Sequence, residues 1–277
     1  MNSINCRGKI LSLDEPLVMG IINATPDSFY EGHLNKPAND VLALAGKMIA
    51  DGAAILDIGG LSTRPGSQPV SVQEETDRVL PVIEGIIAAY PQIILSIDTY
   101  NSQVAKAAVH AGAHIINDIS GGNLDTEMIS TVATLGVPYI CMHMLGTPAT
   151  MQQQAVYDNV VKEVLDFFIA KIETCHKAGI KDIVIDPGFG FAKTMEHNFQ
   201  LLKELAVLKI TGKPILAGLS RKSTVYKTLG VTAAEALNGT TVLNTMALMN
   251  GTSVLRVHDV KEAMETVKLF NAYKKAP

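Results

Sequence analysis

The sequence predicts an α/β fold, a single closed (β/α)8 (TIM) barrel occupying residues 1–277, and three observations carry that reading. Short β-branched runs alternate with longer helical patterns from one end of the chain to the other. Most of the runs lack strict apolar/polar alternation, as expected of parallel strands covered on both faces. The first run ends in Asn23-Ala-Thr-Pro-Asp27, without the glycine fingerprint by which a doubly wound open sheet announces a nucleotide site. A length of 277 residues suits one such barrel, which needs roughly 250.

The elements follow in order. Strands are expected at 17–22, 54–58, 93–97, 114–119, 137–142, 182–185, 214–218 and 253–257. Asn39 or Asp40 is placed to cap a helix over 41–51, which Gly52 ends. Ser71, with Glu74 three residues on, reads as a capping box opening a helix over 72–90. A third helix starts near Ser102 and stops at Gly112. Long amphipathic segments cover 156–178 and 233–249.

Composition excludes several classes. Apolar residues make up 47% and charged residues 18%, which rules out a disordered chain. A net charge of −4 leaves no footprint for nucleic acid, and no Lys/Arg run marks an anionic membrane surface. The first ten residues lack a signal peptide's apolar run, and no stretch of about 18 apolar residues would span a bilayer. Cys6, Cys141 and Cys175 are odd in number and show no CxxC spacing, so they read as reduced thiols of a cytoplasmic protein. Nothing has the spacing of a structural zinc site.

Polar residues collect at the strand ends: Asn23, Asp57, Asp98, Asn117, His143, Asp186, Lys222 beyond the seventh, and Arg256 with His258 at the eighth. A carboxylate closing an apolar run is costly unless it meets a partner or a ligand. In a barrel these ends converge on one mouth, where barrel enzymes place their chemistry. Asp57 stands equally well as a ligand of turn amides or of substrate. Asp98 alone would read as a helix cap, but Asp98, Asn117 and Asp186 together favour ligand binding. His143 reads as a satisfied core histidine.

Cationic segments follow strands two, seven and eight: Ser62-Thr-Arg-Pro-Gly66, Ser220-Arg-Lys-Ser223 and Arg256-Val-His258. With helix N-terminal amides they suggest an anion of diphosphate size. Replacing Arg256 by Ala is expected to abolish its binding while leaving the fold intact. Phe189 and Phe191 flank Gly190; Phe189 reads as core and Phe191 as a contact for a flat ring.

Seven ordered segments then resemble the dihydropteroate synthase family: 23–29, 57–66, Asp98-Thr99, Asn117-Asp118, 186–191, 220–223 and 256–259. The resemblance implies joining of 6-hydroxymethyl-7,8-dihydropterin diphosphate to p-aminobenzoate, with release of pyrophosphate. It implies a pterin pocket of Asp98, Asn117, Asp186 and Lys222, with Arg256 stacked on the pterin and reaching the diphosphate; Asp98, Lys222 and Arg256 are the expected catalytic residues. Asn23, Thr63, Arg64 and His258 would hold the diphosphate with Mg²⁺, Asn23 being the protein ligand. Pro65, Phe191, Lys222 and Ser223 would form the p-aminobenzoate slot, and a homodimer through outer helices is implied. Leu61, Tyr30-Glu-Gly-His33, Tyr100-Asn101 and Ala192 depart from the family's pattern.

An arylamine is a poor nucleophile, so assisting the leaving group gains most. That favours a dissociative, SN1-like substitution with Asp98 as counter-charge to a pterin cation. The rivals are the pterin-binding module of a methyltetrahydrofolate methyltransferase, which needs no diphosphate site, and a non-catalytic paralogue.

Overall fold

The computed structural model describes residues 3–24, 36–61 and 70–277. Eight parallel strands run β3 (Leu17–Asn23), β4 (Ile55–Gly59), β5 (Ile94–Asp98), β6 (Ile115–Asp118), β7 (Tyr139–Met142), β8 (Ile183–Asp186), β9 (Leu216–Ala217) and β10 (Val254–Val257). Each pairs with its sequence neighbour, and β10 returns to β3. A parallel bridge from Ile185 to Ile215 joins β8 to the start of β9 and closes the barrel. The fold is therefore the predicted (β/α)8 barrel. β9 is only two residues long, because residues 214–215 give their carbonyls to β8 and β10 from just outside it.

Helices α1 (Lys36–Ala50), α2 (Val72–Ala89), α3 (Ser102–Ala111), α4 (Met128–Leu135), α5 (Val160–Ala178), α6 (Met195–Lys203), α7 (Ser223–Leu229), α8 (Leu237–Met249) and α9 (Val260–Lys275) lie outside the strands. Their apolar stripes and the outward strand residues share one large core. The fit is tight: a Cβ on Gly20 of β3 would stand 2.8 Å from Met48 Sδ of α1 and 3.1 Å from Val260 Cγ2 of α9.

Several expected boundaries shift. α1 begins at Lys36, so Asn39 and Asp40 lie inside it rather than capping it. α5 begins at Val160, where Asn159 accepts from Lys162 N, and α8 begins at Leu237. Ser71 does cap α2 by accepting from Glu74 N, but the Glu74 carboxylate turns to Arg78 at 2.5 Å instead of back to the cap.

The first residues hold an element the sequence reading lacked. β1 (Ser3–Cys6) and β2 (Lys9–Ser12) form an antiparallel hairpin turning at Arg7 and Gly8, both with positive φ. Ile4, Cys6 and Leu13 join Met19, Ile55, Ile94, Ile115, Ile140, Val184, Leu216 and Val254 in a second core. Those eight are one inward residue from every strand, so the hairpin plugs the barrel's N-terminal end. Arg7 donates to Val109 O and Ala113 O, which pins the plug to the last turn of α3 and the segment after it.

Candidate active site

Side chains on a strand alternate between faces, so the residue two positions beyond each apolar floor residue also points into the barrel. Five of those eight positions hold Asp57, Ser96, Asn117, Asp186 and Arg256, and the other three hold Ile21, Met142 and Gly218. One repeat of the pleat converts an oily floor into a polar chamber at the mouth.

Arg256 is its centre. Its Nε donates to Asp57 Oδ2 at 2.7 Å and its Nη2 to Asp98 Oδ2 at 2.5 Å. Asp57 Oδ2 also accepts from Asn117 Nδ2 at 3.0 Å. Asp57 is fully buried, and its Oδ1 has no hydrogen-bond partner among the described residues. The open question over Asp57 is thus answered: it organises two of the predicted pocket residues. Asp98 does not cap α3, since Asn101 Oδ1 accepts from Gln103 N and Val104 N. The ion pair argues against the expectation that Arg256→Ala would spare the fold, because the variant would leave a buried carboxylate without its cation.

Burial pushes the Asp98 carboxyl above the usual range, against the pull of Arg256, with Asp57, Asp118 and Asp186 adding to the rise. Burial likewise raises Asp186, whose Oδ1 accepts from Gly188 N at 2.7 Å. Gly188 is obligatory there: its φ is +70°, and a Cβ would lie 2.1 Å from His143 O. Asp118, next to Asn117, faces the other way. It accepts from Ser120 N, Ser120 Oγ, Gly122 N and Tyr139 Oη, and so builds the turn beyond β6.

Lys222 enters from the residue before α7. Its Nζ donates to Phe189 O at 2.5 Å and stands 4.7 Å over the Phe191 ring. Desolvation pulls its pKa down to about 8, with Asp186 opposing. Ser223 is the half-buried first residue of α7. Phe189 is buried in the core, as expected, while Phe191 is only partly covered.

Asn23 and His258 line one cleft of about 320 Å³ together with Asp40 of α1. His258 Nδ1 meets Ser220 Oγ at 3.0 Å. Desolvation, then the Arg256 guanidinium, push its pKa down to about 4, so the ring is neutral at pH 7. Arg221 is spoken for: it holds Asp259 through Nε and Nη2 and donates to Ala233 O and Ala234 O. Thr63, Arg64 and Pro65 lie outside the described residues, as does most of the departing first loop.

His143 is the buried, satisfied histidine expected, but its partner was missed. Lys193, 3% exposed, places Nζ 3.0 Å from His143 Nδ1. The available signal was a lysine two residues past Phe191 in an otherwise apolar loop. Among the described residues, no group of three or more His, Cys, Asp or Glu is arranged to hold a metal ion.

The geometry can be set beside known proteins. A family model described as pterin binding enzyme matches residues 19–258. Dihydropteroate synthase of Escherichia coli strain K12 is 42% identical over 268 residues, covering 96% of this chain and 94% of that protein. A solved Xanthomonas albilineans dihydropteroate synthase with 4-aminobenzoic acid is 40% identical, with a TM-score of 0.93 over 99% of each chain. Another from that organism, in complex with 7,8-dihydropteroate, is 37% identical, with a TM-score of 0.89 over 99% of this chain and all of that one.

Proposed function

The chain belongs to the pterin-binding enzyme family, and from that premise we propose how its barrel makes dihydropteroate. It is a transferase with dihydropteroate synthase activity, joining 6-hydroxymethyl-7,8-dihydropterin diphosphate to p-aminobenzoate and releasing pyrophosphate. Residues 1–277 act as one pterin-binding domain.

The acceptor set of the chamber best supports the pterin placement. With Nδ2 committed to Asp57, Asn117 turns its Oδ1 to the ligand. Asp186 and Asp98 each have one oxygen outside the bonds described above, and Lys222 brings the opposing donor. Such a pocket fits the ring N–H and amino donors of an aminopyrimidinone, much as side chains read base edges. Asp98 then lies where a cation develops as the diphosphate leaves, and its negative charge favours an SN1-like path.

Asn23, His258, Thr63, Arg64 and the remaining N–H groups of Arg256 take the diphosphate. Asn23 offers a neutral oxygen, the donor type Mg²⁺ accepts, and an ion with so few protein ligands leans on the substrate's phosphates. Bound there, Mg²⁺ would offset the charge growing on the leaving group. Phe191, Lys222, Pro65 and Ser223 form the p-aminobenzoate slot.

Val242, Met246 and Met249 form one exposed apolar face of α8, beside exposed Leu229 of α7. A second copy of the chain covers that face in the proposed homodimer. Three buried free thiols suit the proposed cytoplasmic setting, and no helix among the described residues is long and apolar enough to cross a membrane.

Pyrophosphate release measured with each substrate alone and with both tests the assignment. Release that needs both substrates supports it. Methyl transfer from methyltetrahydrofolate without pyrophosphate release would favour the rival module, and no turnover of either kind the paralogue.

A further inference from the structure

A lysine is almost never fully buried without an ionic partner. Lys193 nevertheless lies 3% exposed beneath the mouth, and among the described residues it forms no salt bridge. Its three acceptors are neutral: His143 Nδ1 at 3.0 Å, Phe191 O at 3.1 Å and His143 O at 3.5 Å. His143 serves as an acceptor because burial, reinforced by Lys193, pushes its pKa to about 2 and keeps the imidazole neutral. A methionine would fill similar volume without the desolvation cost of a buried charge.

What the ammonium does is legible in the loop above it. Four consecutive carbonyls, from residue 189 to residue 192, each accept from a different side chain. Phe189 O takes Lys222 Nζ, Gly190 O takes Gln152 Nε2 at 3.3 Å, Phe191 O takes Lys193 Nζ, and Ala192 O takes Tyr157 Oη at 2.8 Å. Gly190 N donates to Asn198 Oδ1 at 2.7 Å. Ala192 is held at φ +48°, a conformation non-glycine residues seldom adopt, and it is fully buried. Lys222 Nζ lies over the Phe191 ring, which also packs against the apolar cluster that holds Met142, Met144 and Met151.

We propose that Lys193, backed by His143, is a positioning residue of the p-aminobenzoate slot, fixing the Phe191 carbonyl and thereby the ring that walls the slot. The proposal rests on the reading of Phe191 as that wall. Lys193 touches no substrate; it acts by preorganising the loop, so that ordering does not have to be supplied when the arylamine binds.

The test compares Lys193→Met, Lys193→Gln and Phe191→Ala with the wild-type enzyme, measuring kcat, KM for each substrate and Tm. Lys193→Met is expected to raise KM for p-aminobenzoate about tenfold, equivalent to about 1.4 kcal/mol. KM for the pterin diphosphate should stay close to wild type, and Tm should not fall. Lys193→Gln retains an N–H donor and should recover part of the lost affinity; it also carries the test if the methionine variant does not fold. An unchanged KM for p-aminobenzoate in both Lys193 variants would overturn the proposal. So would equal losses for both substrates accompanied by a lower Tm, which mark a purely structural role. If Phe191→Ala also leaves that KM unchanged, the slot reading has failed with it; if Phe191→Ala alone raises it, only the role of Lys193 has failed.

Discussion

At the base of the barrel, Met19, Ile55, Ile94, Ile115, Ile140, Val184, Leu216 and Val254 pack against the hairpin and exclude water. Two residues further along five of those strands stand Asp57, Ser96, Asn117, Asp186 and Arg256. The separation is one pleat repeat, about 6–7 Å. The floor lowers the free energy of the folded chain by apolar burial, at roughly 1.5–3 kcal/mol per large side chain. The chamber above it buries charges that folding alone does not need, and a buried ion pair is often no more stabilising than apolar residues of the same volume. The contrast teaches that one strand can serve stability at one residue and chemistry two residues further on.

Arg256→Ala should break this contrast most severely, because Arg256 belongs to both accounts. It would leave Asp57 buried and unpaired, and the cost is expected at about 3–5 kcal/mol of stability. Denaturant unfolding should show that loss, and calorimetry should show no binding of pterin diphosphate. Wild-type stability in that variant would mean the pair is not buried as described.

Ile140→Ala samples the floor alone. It should cost about 2–5 kcal/mol of stability, while KM for both substrates stays unchanged at a temperature where the variant is folded. Lost substrate affinity there would show that the two layers are coupled.

A smaller effect sharpens the chamber's side. Burial, opposed by Asp186 and reinforced by Lys222, pulls the Lys193 pKa down to about 7, while the unfolded chain keeps an ordinary lysine value. Between those values the unfolded state binds more protons, so this group's contribution to stability improves as pH rises above 7. Lys193→Met removes that dependence. Its Tm advantage over wild type should be largest near pH 6 and shrink toward pH 9; a constant difference would contradict the depressed pKa.

Much of this was legible in the sequence, for physical reasons. Buried parallel strands leave continuous apolar runs, and a carboxylate closing such a run, as at Asp98 or Asp186, stands out because it needs a partner. What the partner is does not show. Asp57 and Arg256 lie 199 residues apart, and only barrel closure joins them. The layering itself was readable as Ile55-x-Asp57, Ile115-x-Asn117, Val184-x-Asp186 and Val254-x-Arg256, a period of two hidden by apolar residues on the outward face. Lys193 left only a weak signal, its apolar loop, because a loop lysine ordinarily lies in water. The hairpin was missed because its runs are only four residues long and Ile10, near its turn, is exposed.

The central claim is that the Asp98 charge acts on the reaction rather than on the fold, and Asp98→Asn tests it most directly. The substitution keeps the shape and part of the hydrogen bonding but deletes the charge, while Asn101 continues to cap α3. Single-turnover rates should fall by orders of magnitude, on the scale of roughly 3 kcal/mol for a preorganised electrostatic group, with a smaller change in pterin diphosphate affinity. A well-folded Asp98→Asn enzyme with wild-type single-turnover rate would contradict the account.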